Sequence, residues 1–104
     1  MSDTTMILPK ETAQAIVDLT GEVRVDAALT MIIREYARQK LAELEAGLRQ
    51  FERKYGMSFE GYRHIWDTED RSEHYAFEAE DDFLMWEGLV TRHKRLNKSF
   101  AWLP

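Results

Sequence analysis

The sequence contains no cysteine, which excludes disulfide bonds, thiolate metal sites and cysteine nucleophiles together. Only five glycines and two prolines occur in 104 residues, which argues against a loop-rich all-β fold. Basic residues are outnumbered by acidic ones, and the net charge of −5 disfavours nonspecific binding to nucleic acid. No apolar run approaches the ~18–20 residues of a membrane span. No basic-then-apolar signal segment opens the sequence, so a cytoplasmic location is expected.

The sequence does contain enough apolar material for a core, since 44% of its residues are hydrophobic and 32% are charged. These proportions argue against disorder, and the length fits a single helical domain over residues 1–104. Helix-ending glycines, a capping serine and apolar periodicity divide this domain into six parts. The predicted parts are a flexible tail (1–9), a short helix and linker (10–25), a long helix (26–55), a short helix (59–66), an acidic loop (67–79) and a C-terminal helix (80–98).

The long helix carries a seam of apolar residues spaced three and four apart, as in helical hairpins and coiled coils. Its members are Ile33, Ala37, Leu41, Leu44, Leu48 and Phe51. A helix of about 28 residues is about 42 Å long, whereas a compact chain of this size has a radius of gyration of about 13 Å. The sequence therefore predicts an elongated, dimeric all-α protein in which the long, short and returning helices form an antiparallel hairpin and the seam joins two copies.

The chemistry-bearing residues do not form a recognisable catalytic pattern. The sequence lacks a Gly-x-Ser-x-Gly elbow, a phosphate-binding glycine loop and a dinucleotide fingerprint. His74 and Glu78 could combine with Asp81 and Asp82 in a carboxylate–histidine metal site, but acids at a helix start usually complement the helix dipole. We therefore predict a protein that is not an enzyme and that needs no cofactor or metal.

Charge and aromatic residues are both unevenly distributed. Residues 67–87 hold nine acids and one base, whereas residues 88–104 hold four bases and no acid. Eleven of the twelve aromatic residues follow residue 50. Dipole matching in the last helix accounts for the charge pattern without any partner, and this interpretation is favoured. An acidic surface that recognises a basic protein is the alternative. The aromatic residues are expected to form the core and to leave some anchors exposed for a partner.

Two segments carry a resemblance to a known class of protein. They are Phe51-Glu-Arg-Lys-Tyr-Gly-Met-Ser-Phe59 and Phe77-Glu-Ala-Glu-Asp-Asp-Phe-Leu-Met-Trp-Glu87. Residues 36–96 resemble small helical antitoxin-type proteins of prokaryotic toxin–antitoxin pairs. The resemblance implies that the chain neutralises a basic toxin through its acidic aromatic C-terminal half. Within that half, we infer a partner-binding role for Tyr75, Phe77, Asp81, Asp82, Trp86 and Trp102.

Two other functions remain open. The stretch from Val23 to Ile32 is similar to the start of a ribbon-helix-helix protein, in which a strand feeds a helix, and residues 10–35 could then serve a DNA-binding autorepressor. That fold needs a turn after about ten helical residues, whereas the helical pattern here continues to Tyr55. The remaining possibility is a structural or adaptor protein without a toxin partner.

Overall fold

The computed structural model describes residues 7–69 and 77–102. These residues contain four helices and no strand: α1 (Lys10–Thr20), α2 (Val25–Tyr55), α3 (Phe59–Thr68) and α4 (Phe77–Ser99). The radius of gyration is 20.0 Å and the principal extents are 59 × 30 × 23 Å. The predictions of an all-helical and elongated molecule are confirmed. Tyr75, most of the tail and the middle of the predicted acidic loop lie outside the described residues.

Two glycines end helices in the way that their lack of a side chain permits. Gly21 and Gly56 have φ values of 71° and 67°, a left-handed conformation that disfavours other residues. The Gly21 N–H donates to the Val17 carbonyl, and the Gly56 N–H donates to the Glu52 carbonyl. After this break, the Ser58 hydroxyl accepts a hydrogen bond from the Gly61 N–H and caps α3. The turn therefore directs α3 away from the axis of α2.

The connection between α1 and α2 is short and contains no strand. Val23 and Arg24 lie in this connection, and α2 then continues without a break for 31 residues, or about 46 Å. A ribbon-helix-helix arrangement requires a strand before the helix and a turn after about ten residues. Neither feature is present in residues 7–69, so the structural basis for that alternative is missing.

α4 packs along α2, and their contacts run in opposite order along the two helices. Lys54 bonds to Asp82, Phe51 stacks on Trp86, and Glu45 lies next to His93. Residue numbers fall along α2 as they rise along α4, which is the order of an antiparallel pair. α1 covers the beginning of α2, and α3 packs against α4. The long helix is thus covered by different elements at its two ends.

Two mid-helix glycines differ in what surrounds them. A Cβ added at Gly47 in α2 would lie 3.0 Å from Leu89 Cδ1 of α4, so the missing side chain lets the two helices approach closely. A Cβ added at Gly88 in α4 would meet no atom of residues 7–69 or 77–102 within 4 Å. Packing within the chain therefore accounts for Gly47 and does not account for Gly88.

We expect the two corresponding alanine variants to differ in stability. Gly88→Ala should raise the free energy of unfolding by about 0.8–1.0 kcal/mol, because alanine is the better helix former and nothing obstructs its methyl group. Gly47→Ala should gain clearly less or lose stability, because Leu89 must move. Denaturant unfolding at low protein concentration measures both values, and equal gains would contradict the close α2–α4 approach.

Candidate protein-interaction surface

A cluster of aromatic rings joins α2, α3 and α4 at one end of the molecule. Trp86 of α4 is fully buried at its centre. The centroid of its ring lies 5.6 Å from the ring centroid of Phe51 and 5.7 Å from that of Tyr55, and both rings are nearly parallel to it. The rings of Phe59 and Tyr62 from α3 each lie 5.3 Å from it. Ring pairs at these separations add stabilisation beyond the area they bury, so this cluster fixes the position of α4.

The same end of the molecule contains a buried carboxylate. Asp82 Oδ2 accepts hydrogen bonds from Lys54 Nζ at 2.6 Å and from the Tyr55 hydroxyl at 2.5 Å. Lys54 also bonds to the exposed Glu78 at 2.7 Å. A buried charge is tolerated when it is paired and hydrogen-bonded in this way. The network therefore holds the first turns of α4 against the end of α2.

The pKa values in this network follow from its geometry. Burial alone would raise the pKa of Asp82, but the hydrogen bonds from Lys54 and Tyr55 outweigh it and lower that pKa below 3.8. Burial raises the pKa of Tyr55, and its hydrogen bond to Asp82 acts in the same direction. The hydrogen bonds to Asp82 and Glu78 raise the pKa of Lys54. Asp82 is thus ionised at neutral pH, and its charge is matched by Lys54.

With its inner side held by these contacts, α4 presents an outer face to solvent. Three large apolar side chains lie on it: Phe77, Leu84 and Met85 are 84%, 65% and 56% exposed. Polar and small residues complete the outer face at helical spacing, and they are Asp81, Gly88, Arg92 and Arg95. Large exposed apolar side chains that share one helix face are typical of surfaces that bind other proteins.

The residues predicted to bind a partner are divided between core and surface. Phe77, Asp81 and Trp102 are exposed, while Tyr75 lies outside the described residues. Asp82 and Trp86 are buried in the contacts described above, so in the isolated chain both have a structural role. A partner could reach them only after α4 had separated from α2. Leu84 and Met85 join the surface although neither was among the predicted partner-binding residues.

The predicted dimer seam lies largely against other parts of the same chain. Ala37 and Leu44 are buried, and Leu48 and Phe51 pack on the aromatic cluster. Ile33 and Leu41 are half-buried. The role of these residues in a dimer stays a prediction, but one copy already uses much of this side of α2.

A second apolar surface lies between α1 and α2. Leu19, Met31, Ile32 and Tyr36 line an open groove of about 460 Å³ there. Sequence periodicity cannot predict this groove. Leu19 and Tyr36 would fit the same apolar stripe whether their side chains were buried or exposed. It lies on the part of the chain remote from the acidic start of α4.

Neither a metal site nor a membrane-spanning segment is found in the described part of the chain. No three His, Asp or Glu side chains in residues 7–69 and 77–102 are grouped so that they could hold a metal ion. His74 of the carboxylate–histidine hypothesis lies outside these ranges. Within the same ranges, no helix combines the length and the apolar character that crossing a bilayer requires.

Comparison with known proteins adds no relative to this description. No protein-family model, curated protein or solved structure matches the chain. The exposed surfaces of the chain are therefore the basis for inferring its function.

We expect replacement of the buried carboxylate to cost stability in a pH-dependent way. Asp82→Asn should lower the free energy of unfolding by about 1–3 kcal/mol at neutral pH, because it removes a charged acceptor shared by Lys54 and Tyr55. The folded-state pKa is depressed, so this stabilisation is fully present above the ordinary value of 3.8 and is lost as the pH falls through the lowered one. The difference between wild type and variant should therefore shrink at acid pH.

Denaturant unfolding at several pH values measures this difference. The matched control is Glu78→Gln, which removes an exposed carboxylate from the same lysine and should cost less than about 1 kcal/mol. Equal costs for the two variants, or an Asp82→Asn difference that stays constant into the acid range, would show that Asp82 does not anchor α4.

Proposed function

We propose that this chain is a non-enzymatic, antitoxin-like protein that binds and neutralises a basic partner protein through its acidic, aromatic C-terminal half. The observation that carries the proposal is the start of the outer face of α4, where the almost fully exposed Phe77 lies close in sequence to the exposed Glu80 and Asp81. An apolar anchor with a charged rim is the usual composition of an interface centre and its border.

Charge gives this surface a preference for basic partners. Lys54 pairs with Glu78 and Asp82, which leaves Glu80 and Asp81 without a cation in the described part of the chain. The net charge of −5 adds a long-range attraction for a positively charged protein and speeds their association. The aromatic cluster holds α4 in place beforehand, so little conformational freedom is lost when the surface is covered.

The resemblance of residues 36–96 is the basis for proposing an antitoxin-like role. The exposed outer face of α4 supports the more general proposal that the chain binds a basic protein. The exposed Trp102 at the other end of α4 gives a second anchor on the same half of the chain. In this proposal the helical hairpin of α2 and α4 is a rigid carrier, and its exposed side chains determine which protein is bound. An adaptor without a toxin would use the same surface.

Co-expression with the product of the adjacent gene tests the proposal. We expect a basic protein that inhibits growth when expressed alone, relief of that inhibition by this chain, and co-purification of the two. Phe77→Ala and Asp81→Lys should each weaken the complex at least about tenfold, since interface anchors cost more than ~1.4 kcal/mol when removed.

Tyr36→Ala and Asp18→Lys make the same chemical changes at exposed residues of the α1–α2 region and should leave binding unchanged. Absence of both growth rescue and a complex would refute an antitoxin-like role. A complex that is insensitive to the α4 variants and is weakened by the controls would place the binding surface on α1 and α2.

A further inference from the structure

The outer face of α4 has a feature that packing within the chain leaves unexplained. Gly88 lies in the middle of the helix and is exposed, and no atom in the described part of the chain lies near the position of a Cβ. A glycine in a helix interior costs stability relative to alanine. The close approach of Leu89 explains the glycine at position 47, but Gly88 has no such neighbour within the described residues. A gap of this kind allows another helix to approach closely.

Side chains on both sides of Gly88 would line such a contact. Leu84 and Met85 lie one turn before Gly88 on the same face and are more than half exposed. Asp81 precedes Gly88 by seven residues, and Arg95 follows it by seven residues. Each charge therefore lies about 10 Å from Gly88 along the helix axis. Neither makes an ion pair with another residue that the structure describes.

This spacing fits one arrangement of two helices. Suppose that two copies of α4 cross in antiparallel orientation with their Gly88 residues at the crossing point. Asp81 of each copy then lies opposite Arg95 of the other, and the apolar side chains of both copies surround the crossing. A parallel arrangement would instead bring Asp81 to Asp81 and Arg95 to Arg95, which is repulsive.

We propose that the outer face of α4 binds a second copy of this chain, with the two helices antiparallel, Gly88 at the crossing and Asp81 paired with Arg95 of the other copy. The interface is isologous, so one two-fold axis generates both ion pairs. It uses a surface that α2 and α3 leave uncovered, so it requires no change in the monomer.

The second copy and the partner of the proposed function compete for the same face. In the dimer, the basic half of one α4 covers the acidic half of the other, which is the role that a basic partner would take over. The dimer nevertheless needs no such partner, and purified chain alone tests it. A result that refutes one proposal therefore does not refute the other.

Sedimentation equilibrium of the purified chain, from about 1 µM to about 1 mM, measures the association. We expect a concentration-dependent dimer. Asp81→Arg and Arg95→Asp should each raise the dissociation constant at least about tenfold, because each places two like-charged pairs in the symmetric interface. An equimolar mixture of these two variants should form a heterodimer, since both of its pairs are again of opposite charge. The double variant Asp81→Arg/Arg95→Asp should dimerise with itself.

Control variants separate this geometry from a general effect of net charge. Glu80→Arg and Lys94→Asp make closely similar charge changes one residue away, about 100° around the helix, and should have little effect. Gly88→Gln should weaken the dimer by occupying the crossing point, although glutamine is a better helix former than glycine. Circular dichroism of each variant verifies that the monomer remains folded.

Three results would overturn the proposal. One is a wild-type chain that stays monomeric throughout the concentration range. Another is a mixture of Asp81→Arg and Arg95→Asp that associates no better than either variant alone. The third is a dimer that tolerates all the α4 variants and is disrupted by Tyr36→Glu, which would place the contact in the groove between α1 and α2.

Discussion

The burial of one indole ring is the interaction on which the arrangement of this molecule depends. Trp86 is fully buried and brings rings from α2 and α3 into contact with α4. Burial of an aromatic side chain is among the largest single contributions that a small domain has available. Asp82, one turn earlier, adds a charged hydrogen-bond network to the same helix face. Without this pair of contacts, α4 would be held on α2 mainly by contacts farther along the two helices, such as Leu89 with Gly47 and His93 with Glu45.

Holding one face of α4 leaves the opposite face available for binding. The inner face is occupied by Trp86 and Asp82, so Phe77, Leu84 and Met85 remain outside. In both proposals, the separation of acidic and basic residues along the helix determines what this face attracts. Acids in the first half attract cations, whether these belong to another protein or to the basic half of a second copy. In these proposals, a single helix provides a rigid attachment on one side and a binding surface on the other.

The sequence predicted which segments are helical and where the helices end better than it predicted which side chains are exposed. Gly21, Gly56 and Ser58 marked ends because their backbone or side-chain chemistry acts locally. The sequence assigned residues 67–79 to a loop, whereas α4 begins at Phe77, because Glu78 bonds to Lys54 of α2 and the acids of the first turn complement the helix dipole. The sequence analysis assigned Phe77 and Trp86 alike to partner binding. Only the tertiary contacts show that Trp86 is buried and Phe77 is exposed.

The stability of a Trp86→Ala variant tests most directly whether this ring holds the helices together. Removal of a fully buried tryptophan should lower the free energy of denaturant unfolding by about 3–5 kcal/mol. Trp102→Ala removes a largely exposed ring of the same size and should change it by less than about 0.5 kcal/mol. Trp86→Phe, which keeps a ring in the cluster, should lie between them. Similar values for Trp86→Ala and Trp102→Ala would contradict the account.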